Sequence, residues 1–238
     1  NLLLGTPFRH HFTEDTILFI EDTEATPLQD FDRDLQALIH QEDFKHVKAI
    51  VIACNTATSA AVRTLREMYP DLPIVGIEPA VKPAVLNSKG GRILVMATPM
   101  TIELQKFHSL LEQYEDKADI VAIPCKGLME FVENGDLEGE DLSEYFTQLL
   151  APYLTENTEG IVLGCTHYPF LEKQLKAFLS GRDIKLYDGS YGTAAELKRR
   201  IGEKGLLRNE ERIGNIEILN SLNDPGKISL SYKLLQIK

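Results

Sequence analysis

The 238-residue chain has few cysteines, too few basic residues to balance its acidic ones, and no long apolar run. Its three cysteines, Cys54, Cys125 and Cys165, are widely spaced and form no Cys-x-x-Cys pair. An odd number without close pairs argues against a disulfide framework and against a zinc cluster, so no metal is expected. Lys and Arg total 25 against 36 Asp and Glu, a net charge of −11, and the basic residues are scattered rather than clustered. Nucleic acid is therefore not expected as the main partner. The longest apolar stretches, at 49–54 and 161–165, fall far short of the roughly 18–20 residues that a membrane-spanning helix needs. The opening Asn1-Leu2-Leu3-Leu4-Gly5 has neither the basic leader nor the apolar core of a secretory signal. The expectation is a soluble, cytoplasmic protein without a membrane partner. A composition 43% apolar and 26% charged is that of an ordinary globular chain.

Val- and Ile-rich runs alternate with amphipathic stretches. Strands are expected at 16–20, 48–53, 74–77, 92–97, 119–123, 160–163 and 185–187, and helices at 28–41, 57–68, 80–86, 102–113, 142–154, 171–179 and 193–203. Such alternation implies βαβ units and an α/β fold with mostly parallel sheets. The turn-rich loop Asn87-Ser88-Lys89-Gly90-Gly91 reads as a domain seam and Asp188-Gly189-Ser190-Tyr191-Gly192 as a second. The expected division is a discontinuous first α/β domain, 1–88 with 193–238, and a second, 89–192. The segment 228–237 has an apolar stripe that fits either a strand or a short helix.

Two segments share one layout. Lys48-Ala49-Ile50-Val51-Ile52-Ala53-Cys54-Asn55-Thr56 and Glu159-Gly160-Ile161-Val162-Leu163-Gly164-Cys165-Thr166-His167 each run from an apolar strand through a small residue to a cysteine and two polar residues. In open α/β sheets, ligands bind beyond the carboxyl ends of the strands. A thiol at the start of a helix meets free N–H groups and the positive end of the helix dipole, which favour an anion. Asn55, Thr56, Thr166 and His167 add polar side chains there, suited to holding a carboxylate. A single strand-end cysteine is most often a small buried hydrophobe. Packing alone does not require the repeated polar tail, which Cys125 lacks, so Cys125 is read as a packing residue. Two thiols facing one small substrate could invert a carbon centre: one thiolate removes a proton and the opposite thiol delivers one to the other face. Phosphatase chemistry fits less well, because Ala60 and Leu171 stand where a Cys-x5-Arg motif needs arginine.

Ala53-Cys54-Asn55-Thr56-Ala57 and Gly164-Cys165-Thr166-His167-Tyr168-Pro169 resemble the two signature segments of the bacterial glutamate racemases. Further fitting segments are Glu78-Pro79, Thr98-Pro99-Met100-Thr101, Val132-Glu133-Asn134-Gly135 and Tyr187-Asp188-Gly189-Ser190. The resemblance implies two α/β domains facing each other across a cleft. It also implies interconversion of L- and D-glutamate without a cofactor and supply of the D-isomer for peptidoglycan. Carried over by position, it makes Cys54 and Cys165 the acid/base thiols. Asn55, Thr56 and Thr166 would hold the substrate's charged groups, with His167 and Glu133 assisting proton transfer at Cys165. Thr98 and Thr101 are substrate-binding candidates that could equally cap the following helix. His10, His11, His40, His46 and His108 lack ligand-spaced partners and read as surface or helix-face residues. A homodimer is compatible with the sequence, which identifies no dimer face.

The resemblance has gaps. The family's opening strand and its Asp-Ser-Gly substrate segment have no counterpart in Asn1-Leu2-Leu3-Leu4-Gly5-Thr6-Pro7. A second substrate loop, Gly-Asp-Thr followed by Pro-Tyr-Gly in the family, survives as Glu21-Asp22-Thr23 and Pro27-Leu28-Gln29. Either the chain as written lacks an opening stretch, or it is a divergent member acting on another small carboxylic acid or retaining only metabolite binding. The first is favoured, because a parallel sheet without an inner strand would leave an unpaired edge. The chain as written is then expected to be a poor racemase.

Overall fold

The structure, a computed structural model, describes residues 17–20, 47–208, 214–218 and 224–237. The expected helix at 28–41, the segments 21–23 and 27–29, and His10, His11, His40 and His46 lie outside the described residues. The chain forms two compact units, one comprising 1–77 with 190–238 and the other 78–189.

The first unit holds a parallel sheet in the order β1 (Ile17–Ile20), β2 (Ala49–Ile52), β3 (Ile74–Gly76). Ile17 pairs with Ala49, and Ile50 with Ile74. Every residue of the central strand β2 is buried, which explains why its sequence is continuously apolar rather than alternating. Helix α1 (Asn55–Met68) follows, with Ala57, Ala61, Val62 and Leu65 packed into one cluster with Ile50, Ile52 and Ile74. Arg63 and Glu67 face solvent. Gly76 permits this close approach, since a Cβ there would overlap the side chains of Thr58 and Val62. The helix stops at Tyr69, ahead of Pro70, because a residue before proline is disfavoured in helical geometry.

The second unit has a parallel sheet in the order β5–β4–β6–β7, built from β4 (Arg92–Ala97), β5 (Asp119–Pro124), β6 (Thr158–Leu163) and β7 (Lys185–Asp188). Helix α2 (Val81–Leu86) packs against β4, β6 and β7. Its Val81, Ala84 and Val85 share a buried cluster with Ile93, Val95, Phe107 and Val162. The first seam therefore falls between Ile77 and Glu78 rather than at 88/89, because burial of this helix assigns it to the second sheet. The return seam lies between Gly189 and Ser190. The expected helix at 102–113 is two, α3 (Pro99–Glu103) and α4 (Gln105–Glu112), broken at the extended Leu104. Helix α5 (Leu128–Asn134) was not expected, and α6 (Glu140–Leu150) precedes β6. A 3-10 turn (Tyr168–Leu171) and α7 (Glu172–Phe178) lead to β7.

Back in the first unit, α8 (Ser190–Glu203) lies against β2 and β3 and buries Ile201. The stretch left open between strand and helix forms α9 (Pro225–Leu234), capped by the Asp224 carboxylate, which accepts from the N–H groups of Gly226 and Lys227. No helix among the described residues is long and apolar enough to cross a membrane.

Candidate active site

In the first unit, β2 ends at Ile52 and Cys54 becomes the N-cap of α1, in extended backbone geometry. Its half-buried sulfur accepts the Ala57 N–H at 3.5 Å. With the helix dipole, that N–H stabilises negative charge on the sulfur. The turn is held from behind by the buried Thr58, whose hydroxyl donates to the Ile52 carbonyl at 3.1 Å and whose N–H donates to the Cys54 carbonyl at 2.8 Å. Asn55 is buried and Thr56 half-buried, both in the first turn of α1. Thr58 is the positioning residue that sequence reading passed over. The signal for it was a hydroxyl four residues beyond the thiol, on the apolar face of the helix.

In the second unit the expected residues form a connected chain. Gly164 leaves β6 and donates its N–H to the Met96 carbonyl of β4 at 2.7 Å. A Cβ on Gly164 would stand 2.6 Å from that same oxygen. The Cys165 sulfur lies 3.7 Å from His167 Nδ1, and His167 Nε2 lies 2.9 Å from Glu133 Oε1. His167 is buried, while Glu133 is partly open at the end of α5. An ionised carboxylate only accepts, so the proton at Nε2 belongs to the imidazole and, in the neutral ring, Nδ1 presents its lone pair to the thiol. The arrangement can draw the thiol proton onto His167 and hold the resulting imidazolium against the Glu133 carboxylate. Such a charge-assisted hydrogen bond is worth roughly 1.5–3 kcal/mol.

One sequence expectation fails here. Cys165 does not cap a helix as Cys54 does: it sits in a bend followed by the 3-10 turn, and α7 begins only at Glu172. Pro169 supplies no N–H for an α-helical first turn directly after the thiol. The neighbouring His167, rather than a helix dipole, is the group placed to act on Cys165. Thr166 lies half-buried in the same bend.

Thr98 caps α3, its hydroxyl oxygen accepting the Thr101 N–H at 3.2 Å, and the two hydroxyls lie 2.9 Å apart. Capping is thus one role of this pair. Cys125 is buried and its thiol donates to the Ile123 carbonyl at 3.3 Å. Burial pushes this thiol well above its ordinary pKa, which suits a packing residue. His108 is exposed on α4, edge-on to Phe107. Among the described residues, no group of three or more His, Cys, Asp or Glu side chains is placed to hold a metal ion.

Two parallel-sheet units, each with a cysteine just beyond the end of an inner strand, place the chain in the class of two-unit α/β folds. The model of the Asp/Glu/Hydantoin racemase family matches residues 8–195, and the chain belongs to that family. Within it, the glutamate racemase of Clostridium perfringens is 47% identical over 194 residues, which cover 82% of this chain and 74% of that protein. The glutamate racemase of Clostridium botulinum is 48% identical over 194 residues, covering 82% of this chain and 75% of that one. Among solved structures, glutamate racemase from Thermus thermophilus in complex with β-chloro-D-alanine is 28% identical. It has a TM-score of 0.69 and covers 94% of this chain and 84% of that one.

Proposed function

We propose that this chain interconverts L- and D-glutamate by proton transfer between carbon and two cysteine thiols, without a cofactor, as a cytoplasmic enzyme supplying D-glutamate for peptidoglycan. The observation that carries the reading is 47% identity, over most of the chain, with a relative named as a glutamate racemase. Inversion at Cα needs one group to take a proton from one face and another to return one to the opposite face, and these two roles are assigned to Cys54 and Cys165. The thiolate of one takes the Cα proton, breaking C–H and forming S–H. The thiol of the other then gives its proton to the opposite face, forming C–H and leaving a thiolate. The roles exchange in the reverse direction.

Each thiol has its own support. The α1 N-terminus and the Ala57 N–H stabilise charge on Cys54, while His167, braced by Glu133, relays the proton of Cys165. Asn55, Thr56 and Thr166, with the Thr98 and Thr101 hydroxyls, hold the charged groups of glutamate. Local N–H and O–H donors have to do this, because the net charge of −11 repels an anionic substrate.

The test is incubation of the full-length natural protein with L-glutamate in deuterated water, following Cα–H exchange by NMR and optical activity by circular dichroism. Exchange with loss of optical activity, for glutamate and not for aspartate, is the expected result. Absence of both with glutamate sinks the reading. Cys54→Ala and Cys165→Ala are each expected to abolish racemisation, and near-normal racemisation by either variant excludes the two-thiol mechanism.

A further inference from the structure

We infer that Tyr168 is a positioning residue for proton transfer at Cys165: its buried hydroxyl ties the turn that launches α5 to the loop that carries the thiol. This rests on the reading of Glu133, His167 and Cys165 as a proton-transfer chain. Tyr168 directly follows His167 and is 1% exposed. Its N–H donates to the Cys165 carbonyl at 3.2 Å, and its hydroxyl donates to the Cys125 carbonyl at 3.4 Å. One side chain thereby spans two loops: the bend bearing Cys165 and His167, and the turn Cys125-Lys126-Gly127 between β5 and α5.

That second turn fixes where Glu133 stands. Helix α5 begins after Gly127, whose φ of +87° is a left-handed conformation suited to glycine, and ends at Gly135 with φ +82°. Between these breaks the helix is a short rigid body with Leu128 and Val132 buried, and Glu133 occupies its last turn. The 3-10 turn headed by Tyr168 packs against α5. Any slip of the Cys125–Gly127 turn would shift Glu133 relative to His167 and lengthen their 2.9 Å contact. Two tyrosines hold this turn: Tyr168 on the Cys125 carbonyl and Tyr145 of α6 on the Lys126 carbonyl at 2.8 Å. The Tyr145 bond is exposed, whereas the Tyr168 bond is buried. Burial also drives the Tyr168 hydroxyl well above its ordinary pKa, so it remains a donor throughout the working range.

The experiment compares Tyr168→Phe, which keeps the ring, with the wild-type chain. It measures steady-state racemisation of glutamate and competitive alkylation by iodoacetamide, scored by peptide mass spectrometry with Cys54 as internal reference. We expect kcat to fall about fivefold, the rate equivalent of one ordinary hydrogen bond, with KM within about twofold. The Cys165-to-Cys54 alkylation ratio should fall at least about twofold, because a loosened His167 no longer holds its Nδ1 against the Cys165 sulfur. An unchanged kcat, an alkylation ratio that holds or rises, or a parallel change at Cys54 overturns the inference. A wild-type chain that does not racemise glutamate fails the functional reading instead, and the alkylation ratio still tests the coupling.

Discussion

Replacing Gly164 by alanine tests whether the strand end that presents Cys165 is set by backbone contact. Gly164 does not adopt a left-handed backbone, so the added methyl is opposed by space alone. An ideal Cβ would lie 2.6 Å from the Met96 carbonyl oxygen, a backbone atom of the adjacent inner strand β4. Optimal non-bonded separations are about 3.5 Å, so roughly 0.9 Å must be recovered by parting the ends of β4 and β6. That movement strains or breaks the 2.7 Å bond from Gly164 N–H to the same oxygen. Overpacking costs about 1–3 kcal/mol and the hydrogen bond about 1 kcal/mol more. A loss of about 2–4 kcal/mol corresponds to a fall in Tm of roughly 5–15 °C for a chain of this size. Since Cys165 is the next residue, a displacement approaching 1 Å should also lower kcat by about 100-fold. Gly192→Ala is the control: it lies exposed in α8 with no atom within 4 Å of the added carbon. That substitution should leave stability unchanged or raise it by about 0.5–1 kcal/mol. Thermal melts and racemisation assays on both variants decide the matter. If Gly164→Ala melts within about 1 °C of wild type and turns over normally, strand contact does not set the position of the thiol.

Glu133→Gln keeps an oxygen acceptor for His167 Nε2 but removes its charge, and should lower kcat about tenfold with little change in KM. Equal kcat values in steady-state assays would show that the carboxylate charge is idle. At the surface of α8, hydrogen bonding by Arg199, opposed by partial burial and aided by Arg200, holds the Glu196 carboxyl down to about 2 against its usual 4.5. A depressed carboxyl contributes stability that is present above 4.5 and is lost as pH falls toward 2. Acid titration followed by circular dichroism should therefore show a component in that window that is missing in Glu196→Gln. The component should be small and should shrink in high salt, because Arg199 is exposed and Glu196 and Arg200 are only half-buried.

The strands were the most legible part of the fold, because parallel strands covered on both faces write themselves as unbroken Val and Ile runs. The Cys54 turn was equally readable: strand, cysteine and helix follow one another without interruption. The parallel drawn from it to Cys165 was too close, because Pro169 converts the expected helix start into a 3-10 turn and hands the electrostatic role to His167. Helix α5, which carries Glu133, escaped notice because a helix bounded by two left-handed glycines is too short to show periodicity. The loop at 87–91 has the turn chemistry of a linker. Turn residues mark where a chain reverses, however, and this reversal lies inside one unit, between α2 and β4. Tyr168 was invisible as a positioning residue for a different reason: its hydroxyl acts on the Cys125 carbonyl, 43 residues away and brought near only by folding.

The insertion of one unit into the other bears on the order in which the protein becomes itself during synthesis. The second unit is an uninterrupted stretch, residues 78–189, and has every strand it needs once β7 has left the ribosome. The first unit is begun earlier, yet α8, which covers β2 and β3, is made only after the whole of the second unit. Domains generally fold as units while translation proceeds. Cys165 therefore reaches its folded surroundings before Cys54, which, translated more than a hundred residues earlier, waits with one flank of its sheet bare until the chain returns.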